Sequence, residues 1–214
     1  MIEPILKKHG VPDDFKYISV AESGLMNSIS NMQAVGFWQF IEGTGKQYNL
    51  VINEEVDERY SVEKSTEAAC KFFLASKLQF GSWTLAAASF NMGTAALQSQ
   101  IERQKEKNFY DLLLNDETFR YIFRILAIKE IMEHKTSYGF HLDKKDLYAP
   151  LEFTSLPVTQ TVNDLASWAH DHNTNYKNLK LLNPWLRQNF LTVDPGKKYE
   201  VKILKKGYTG TIED

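Results

Sequence analysis

The sequence predicts a mainly α-helical chain that ends in a small α+β module. Three observations carry this: apolar residues recur at helical spacing over residues 5–137, glycines punctuate that stretch, and the pattern changes after Gly139. With 214 residues, 43% of them hydrophobic and 24% charged, there is material for one sizeable core and a small companion.

Residues 11–24 start as helices prefer, with Pro12 in the first turn and Asp13 and Asp14 at the positive end of the helix dipole. Over residues 61–80 the spacing puts Ala69, Phe72, Phe73, Ser76 and Phe80 on one face, and Gly81 stops the helix. These aromatics are expected in the core. Residues 117–134 form a long helix with Ile122, Ile125 and Leu126 on one packed stripe. The polar run that follows ends at Pro150 and reads as a linker over residues 142–152, separating a domain of residues 1–141 from a module of residues 153–206. Inside the module, residues 153–162 alternate as a strand, residues 163–172 and 176–182 are short helices, and residues 198–204 are again a strand. The order is β-α-α-β, with residues 207–214 as a tail.

The formal charge of −2 comes from 25 basic and 27 acidic residues mixed along the chain, so no single-sign field invites nucleic acid or an anionic membrane. Cys70 has no mate for a disulfide and is expected as a small buried hydrophobe. Of the histidines, His9, His134 and His141 lie mostly in polar stretches, and His170 and His172 are too close along a helix to share a face, so no metal and no cofactor are expected. No stretch reaches the length of a membrane span, and Met1-Ile2-Glu3-Pro4 lacks a secretory signal's basic start and apolar core. The chain therefore reads as a soluble monomer, with any signal or membrane anchor lying ahead of Met1.

One acidic residue stands apart. After Lys16 the helix carries no charge until Glu22, and Phe15, Ile18, Ser19 and Glu22 share a side while Tyr17, Val20 and Ala21 make much of the rest apolar. A carboxyl kept from water holds its proton to higher pH and can give it to a leaving oxygen, which is what a glycosidase acid must do. Helix position alone equally allows a salt-bridged or solvated glutamate. Further on, Ala34-Val35-Gly36-Phe37-Trp38-Gln39-Phe40 sets a glycine turn before large aromatics and an amide, a composition suited either to a sugar cleft or to a core Trp with a hydrogen-bonded Gln.

Glu22-Ser23, Ser30, the Ala34 to Phe40 string, Ser89-Phe90-Asn91-Met92-Gly93, then Glu117-Thr118 and Tyr121 together resemble the soluble lytic transglycosylase family, most of all its membrane-bound transglycosylase D branch. Val56-Asp57-Glu58-Arg59, Phe80-Gly81-Ser82-Trp83 and Phe109-Tyr110-Asp111-Leu112 add to the likeness, which runs over residues 3–137. The resemblance implies a lysozyme-like helical domain that cuts the N-acetylmuramic acid to N-acetylglucosamine bond of peptidoglycan without water, leaving 1,6-anhydromuramic ends. It implies Glu22 as acid and then base, and Ser30, Gln39, Phe90, Asn91, Glu117 and Tyr121 as substrate-binding residues. It implies peptidoglycan glycan strands as the partner and the periplasm or cell envelope as the place.

The sequence departs from the family at two points: Phe90 stands where the family has tyrosine, and Gln33 where glycine is usual. Tyr121 is the candidate to supply the hydroxyl that Phe90 lacks. Asn91 and Glu117 also read as a helix cap and a first-turn dipole partner. In the module, Leu182-Asn183-Pro184 and Pro195-Gly196-Lys197 resemble the turns of a LysM repeat, whereas Gln160-Thr161-Val162-Asn163-Asp164-Leu165 replaces its usual Gly-Asp-Thr-Leu opening. Two further readings stay open: a hydrolytic muramidase using Glu42 or Asp57 to position water, and a non-catalytic peptidoglycan-binding scaffold.

Overall fold

The computed structural model describes residues 1–205; the expected tail, and the last residue of the expected module, lie outside the described residues. The chain divides into two compact units, Met1–Leu50 with Val62–His141, and Val51–Ser61 with the described chain from Leu142 onward.

The first unit is helical. Helix α1 (Ile2–His9) stops at Gly10, a 3₁₀ turn (Asp13–Phe15) leads into α2 (Lys16–Ser23), and a looped segment leads to α3 (Glu42–Gln47). Then come α4 (Val62–Phe80), α5 (Trp83–Met92), α6 (Thr94–Gln104) and α7 (Asp116–Glu133). Local chemistry sets the starts of α5 and α7: the Ser82 hydroxyl accepts from the Leu85 N–H and the Asn115 side chain from the Thr118 N–H. Helix α4 packs on α1 and α5, and α7 on α2 and α5.

The core is aromatic. Phe73 meets Phe15 at 4.6 Å, Phe72 at 5.7 Å and Phe90 at 4.9 Å between ring centroids. Trp38 is fully buried, and its indole N–H donates to Thr66 Oγ1 at 2.8 Å, which removes the cost of hiding that group. Cys70 is buried, and burial pushes its thiol up to about 12. On α7 the buried stripe is Thr118, Tyr121, Ile122 and Ile125. Leu126, expected on that stripe, is 47% exposed, because at 3.6 residues per turn it lies roughly 90° from the centre of the packed face.

The second unit holds β1 (Phe153–Val158), α8 (Leu165–Asp171), α9 (Tyr176–Leu182) and β2 (Tyr199–Leu204). The strands pair antiparallel from Phe153↔Leu204 to Val158↔Tyr199. Helix α8 starts later than its apolar pattern suggests because the Asp164 carboxylate accepts from the Ala166 and Ser167 N–H groups and caps it there. Residues Val51–Ser61, well upstream in sequence, belong to this unit. The Asp57 N–H donates to the Trp185 carbonyl at 2.9 Å, the Arg187 N–H to the Glu55 carbonyl at 2.7 Å, and the Glu55 carboxylate accepts from Thr192. Among the described residues no helix is long and apolar enough to cross a membrane.

Candidate active site

Glu22 sits in the last turn of α2, half-buried. Gly24, in the left-handed conformation at φ 59°, ends the helix, and Leu25 follows at φ 61°. Two successive left-handed residues turn the chain sharply away, into a loop that exposes Leu25, Met26, Ile29 and Met32. Ser23 ties this end of α2 to the next segment: its hydroxyl donates to the Phe37 carbonyl at 2.9 Å.

The Tyr121 hydroxyl, on α7, donates to Glu22 Oε1 at 2.5 Å. Burial pushes the Glu22 carboxyl up, the Tyr121 hydrogen bond and the Arg124 charge pull it back, and Glu117 adds a further push upward; the net shift is upward. Burial drives the Tyr121 phenol well above its ordinary range, so it stays neutral and keeps its proton to donate. The result is a carboxyl that holds a proton longer than usual, next to a donor that steadies the carboxylate once the proton has left.

Around the 28–40 loop the polar side chains hold backbone. The Ser30 hydroxyl accepts from the Ala34 N–H at 3.1 Å. Gln39, itself at φ 49°, donates through Nε2 to the Gly36 carbonyl at 2.8 Å and the Ser28 carbonyl at 3.2 Å, so its Oε1, without a partner among the described residues, is the group left for a ligand. Gln33 adopts φ 58°, which explains the usual glycine at this place. Phe90 is half-buried against Trp38, Phe40, Phe72 and Phe73, so its ring serves the core cluster.

Asn91 is oriented by a residue singled out in the sequence only as a motif letter. The Thr118 hydroxyl, fully buried on α7, donates to Asn91 Oδ1 at 2.8 Å, which turns the Asn91 NH₂ outward as the available donor. Glu117 is exposed at the start of α7. Glu22 and Tyr121 are therefore joined directly, Glu117 acts on Glu22 through its charge, and Asn91 is fixed from the same helix as Tyr121. The acids considered for a hydrolytic route are engaged elsewhere: Asp57 is held by Arg59 Nη2 at 2.7 Å and Glu42 by Lys46 at 2.5 Å. Among the described residues no group of His, Cys, Asp and Glu could hold a metal ion.

The model of the transglycosylase SLT domain matches residues 1–113. The chain belongs to the transglycosylase SLT domain family. Residues 154–207 match the soluble lytic transglycosylase C-terminal LysM-like domain. Membrane-bound lytic murein transglycosylase D of Escherichia coli K12 is 31% identical over 147 residues, covering 66% of this chain and 32% of that protein, and the same protein of E. coli O6:H1 matches equally. The chain thus spans about a third of the length of these relatives. Among solved structures, an inactive mutant of lytic transglycosylase Slt from Pseudomonas aeruginosa aligns at a TM-score of 0.52 with 18% identity, over 69% of this chain and 26% of that one, a likeness of fold. The SLT domain here is therefore mainly α-helical and is followed by a small LysM-like module.

Proposed function

We propose that the chain is a peptidoglycan lytic transglycosylase that cleaves the β-1,4 bond between N-acetylmuramic acid and N-acetylglucosamine, with Glu22 as its single acid and base. The observation that carries the reading is the Tyr121 hydrogen bond to a half-buried Glu22. Protonated Glu22 gives its proton to the glycosidic oxygen as the bond to the muramic C1 breaks. The muramic C6 hydroxyl then attacks C1 from within the same sugar, and the Glu22 carboxylate takes the hydroxyl proton. Bonds and protons balance, no water is consumed, and the product carries a 1,6-anhydro ring. Tyr121 stabilises the carboxylate between the two transfers. Gln39, Asn91 and Ser30 are proposed to meet the sugar, with Glu117 at the cleft and Phe90 as a wall behind it. Neither metal nor cofactor enters this scheme.

Residues 1–141, apart from the Val51–Ser61 segment that belongs to the second unit, are proposed as the catalytic part and the LysM-like module as a companion that holds glycan, with the cell envelope as the site of action. The name of the E. coli relative supports that location. The test is mass spectrometry of fragments released from purified peptidoglycan by the protein and by Glu22→Gln. Anhydro ends, lighter than reducing ends by a water and absent with the variant, support the proposal. Reducing ends mean a muramidase, and no fragments from folded protein mean a binding scaffold.

A further inference from the structure

We infer that Arg124 is the residue through which this site reads a carboxylate on the muramic side of the substrate; the inference rests on the transglycosylase reading above. Helix α7 carries three cations, Arg120, Arg124 and Lys129. Arg120 faces Asp116 at 3.8 Å and Lys129 holds Asp14 at 2.8 Å, whereas Arg124 makes no hydrogen bond or ion pair among the described residues. It is exposed. Glu117, Tyr121 and Arg124 stand at i, i+4 and i+7, so they share one face of the helix. Tyr121 fixes that face against Glu22, and Arg124 follows about 4.5 Å further along the axis. Its charge is felt at both Glu22 and Tyr121. Glu22 cannot be its standing counter-ion, because a general acid ready to act is neutral.

Peptidoglycan supplies the missing anion on one of its two sugars. N-acetylglucosamine carries no carboxylate. N-acetylmuramic acid carries a lactyl group, which ends either in its own carboxylate or in a stem peptide with carboxylates further out. A guanidinium beside the catalytic acid binds either as a fork and so sets which of the two alternating glycosidic bonds comes to Glu22. The shared chemistry is a carboxylate hung from the muramic C3 oxygen.

The experiment is titration calorimetry in the Glu22→Gln background, so that ligands bind without being cut. Three tetrasaccharides are compared: peptide-bearing muramyl strands, the same strands stripped to free lactyl carboxylates, and chitotetraose, which has no carboxylate. Arg124→Gln is expected to weaken a carboxylate-bearing ligand by about tenfold, leave chitotetraose within about twofold, and be only partly rescued by Arg124→Lys, which keeps the charge but not the fork. Loss confined to the peptide-bearing ligand assigns the stem-peptide carboxylate, and loss confined to the stripped ligand assigns the lactyl carboxylate. Equal loss on chitotetraose, no loss on any ligand, or no binding at all overturns the inference. Whether the wild-type protein releases anhydro ends is measured separately, so the two readings fail independently.

Discussion

The Tyr121 hydroxyl donates a hydrogen bond to Glu22 Oε1 at 2.5 Å, joining the last turn of α2 to the second turn of α7 across a sequence separation of 99 residues. The bond favours the carboxylate, so removing it raises the Glu22 pKa further. Glu22 must be protonated to start the reaction, so the rate falls as pH rises through that pKa. Tyr121→Phe is therefore expected to move the alkaline limb of the pH–rate profile to higher pH while lowering kcat on the order of tenfold or more. A profile measured on purified peptidoglycan checks both. An unmoved limb would detach Tyr121 from the acid.

Glu22→Gln is expected to cost about a thousandfold in rate while stabilising the fold at neutral pH. The amide oxygen still accepts from Tyr121, and the cost of ionising a half-buried carboxyl is gone. The sign follows from the raised pKa. Below the ordinary glutamate value of 4.5 both folded and unfolded chains are protonated and the variant gains nothing. As pH rises through that value the unfolded chain ionises first, and the wild type loses stability that the variant keeps. The unfolding transition of the first unit, followed at about pH 4 and about pH 7, gives the comparison. A gain that is larger at the acidic end contradicts it.

Thr118→Val keeps shape and burial but removes the donor that orients Asn91. The Asn91 amide is then free to turn its oxygen outward. The expected result is a KM several-fold higher with the pH–rate limb unchanged, since Glu22 and Tyr121 are untouched. Equal KM would leave Asn91 without a part in binding.

What the sequence could and could not convey follows from range. The desolvation of Glu22 is legible because the five residues between Lys16 and the acid are uncharged within one helix, and helical spacing is a local property. The capping of α8 by Asp164 is local too, and the same rule read from the Asp164 side chain finds it. The Tyr121 and Thr118 partnerships are not local. They depend on how α7 lies against α2 and α5; Tyr121 is reached only through the family resemblance, which offers its hydroxyl in place of the one Phe90 lacks, and a buried threonine in an apolar stripe reads as core. Val51–Ser61 was missed for the same reason: its main-chain partners, Trp185 and Arg187, lie in the distant module, and its own composition resembles any turn. The Phe90 departure shows the converse, since an aromatic in the expected place is accounted for here by its packing on Phe72 and Phe73.

Gln33 occupies a left-handed conformation that glycine enters without strain. Gln33→Gly relieves a side-chain clash with the backbone and adds entropy to the unfolded chain, and the first effect is the larger at φ 58°. A net gain of about 0.5–1 kcal/mol in the first unit is expected from denaturant titration. A loss instead would mean that contacts of the Gln33 side chain outweigh the backbone strain.

Asn183 is fully buried in the second unit and uses both ends of its amide. Nδ2 donates to the Leu179 carbonyl at 2.9 Å and the Lys202 carbonyl at 2.7 Å, while Oδ1 accepts from the Lys202 N–H at 2.8 Å. The side chain thereby stands in for a neighbouring strand along β2 and fastens it to the end of α9. Asn183→Ala leaves the Lys202 N–H and carbonyl without these partners, a penalty of about 1–3 kcal/mol for each group that stays dry. Because the chain has two units, one melting temperature does not describe it, and the effect should be sought as an early transition of the second unit alone. Amide exchange along β2 is expected to accelerate while exchange in α4 is unchanged. Exchange that rose equally in α4 would mean that the two units unfold together and that Asn183 braces the whole chain.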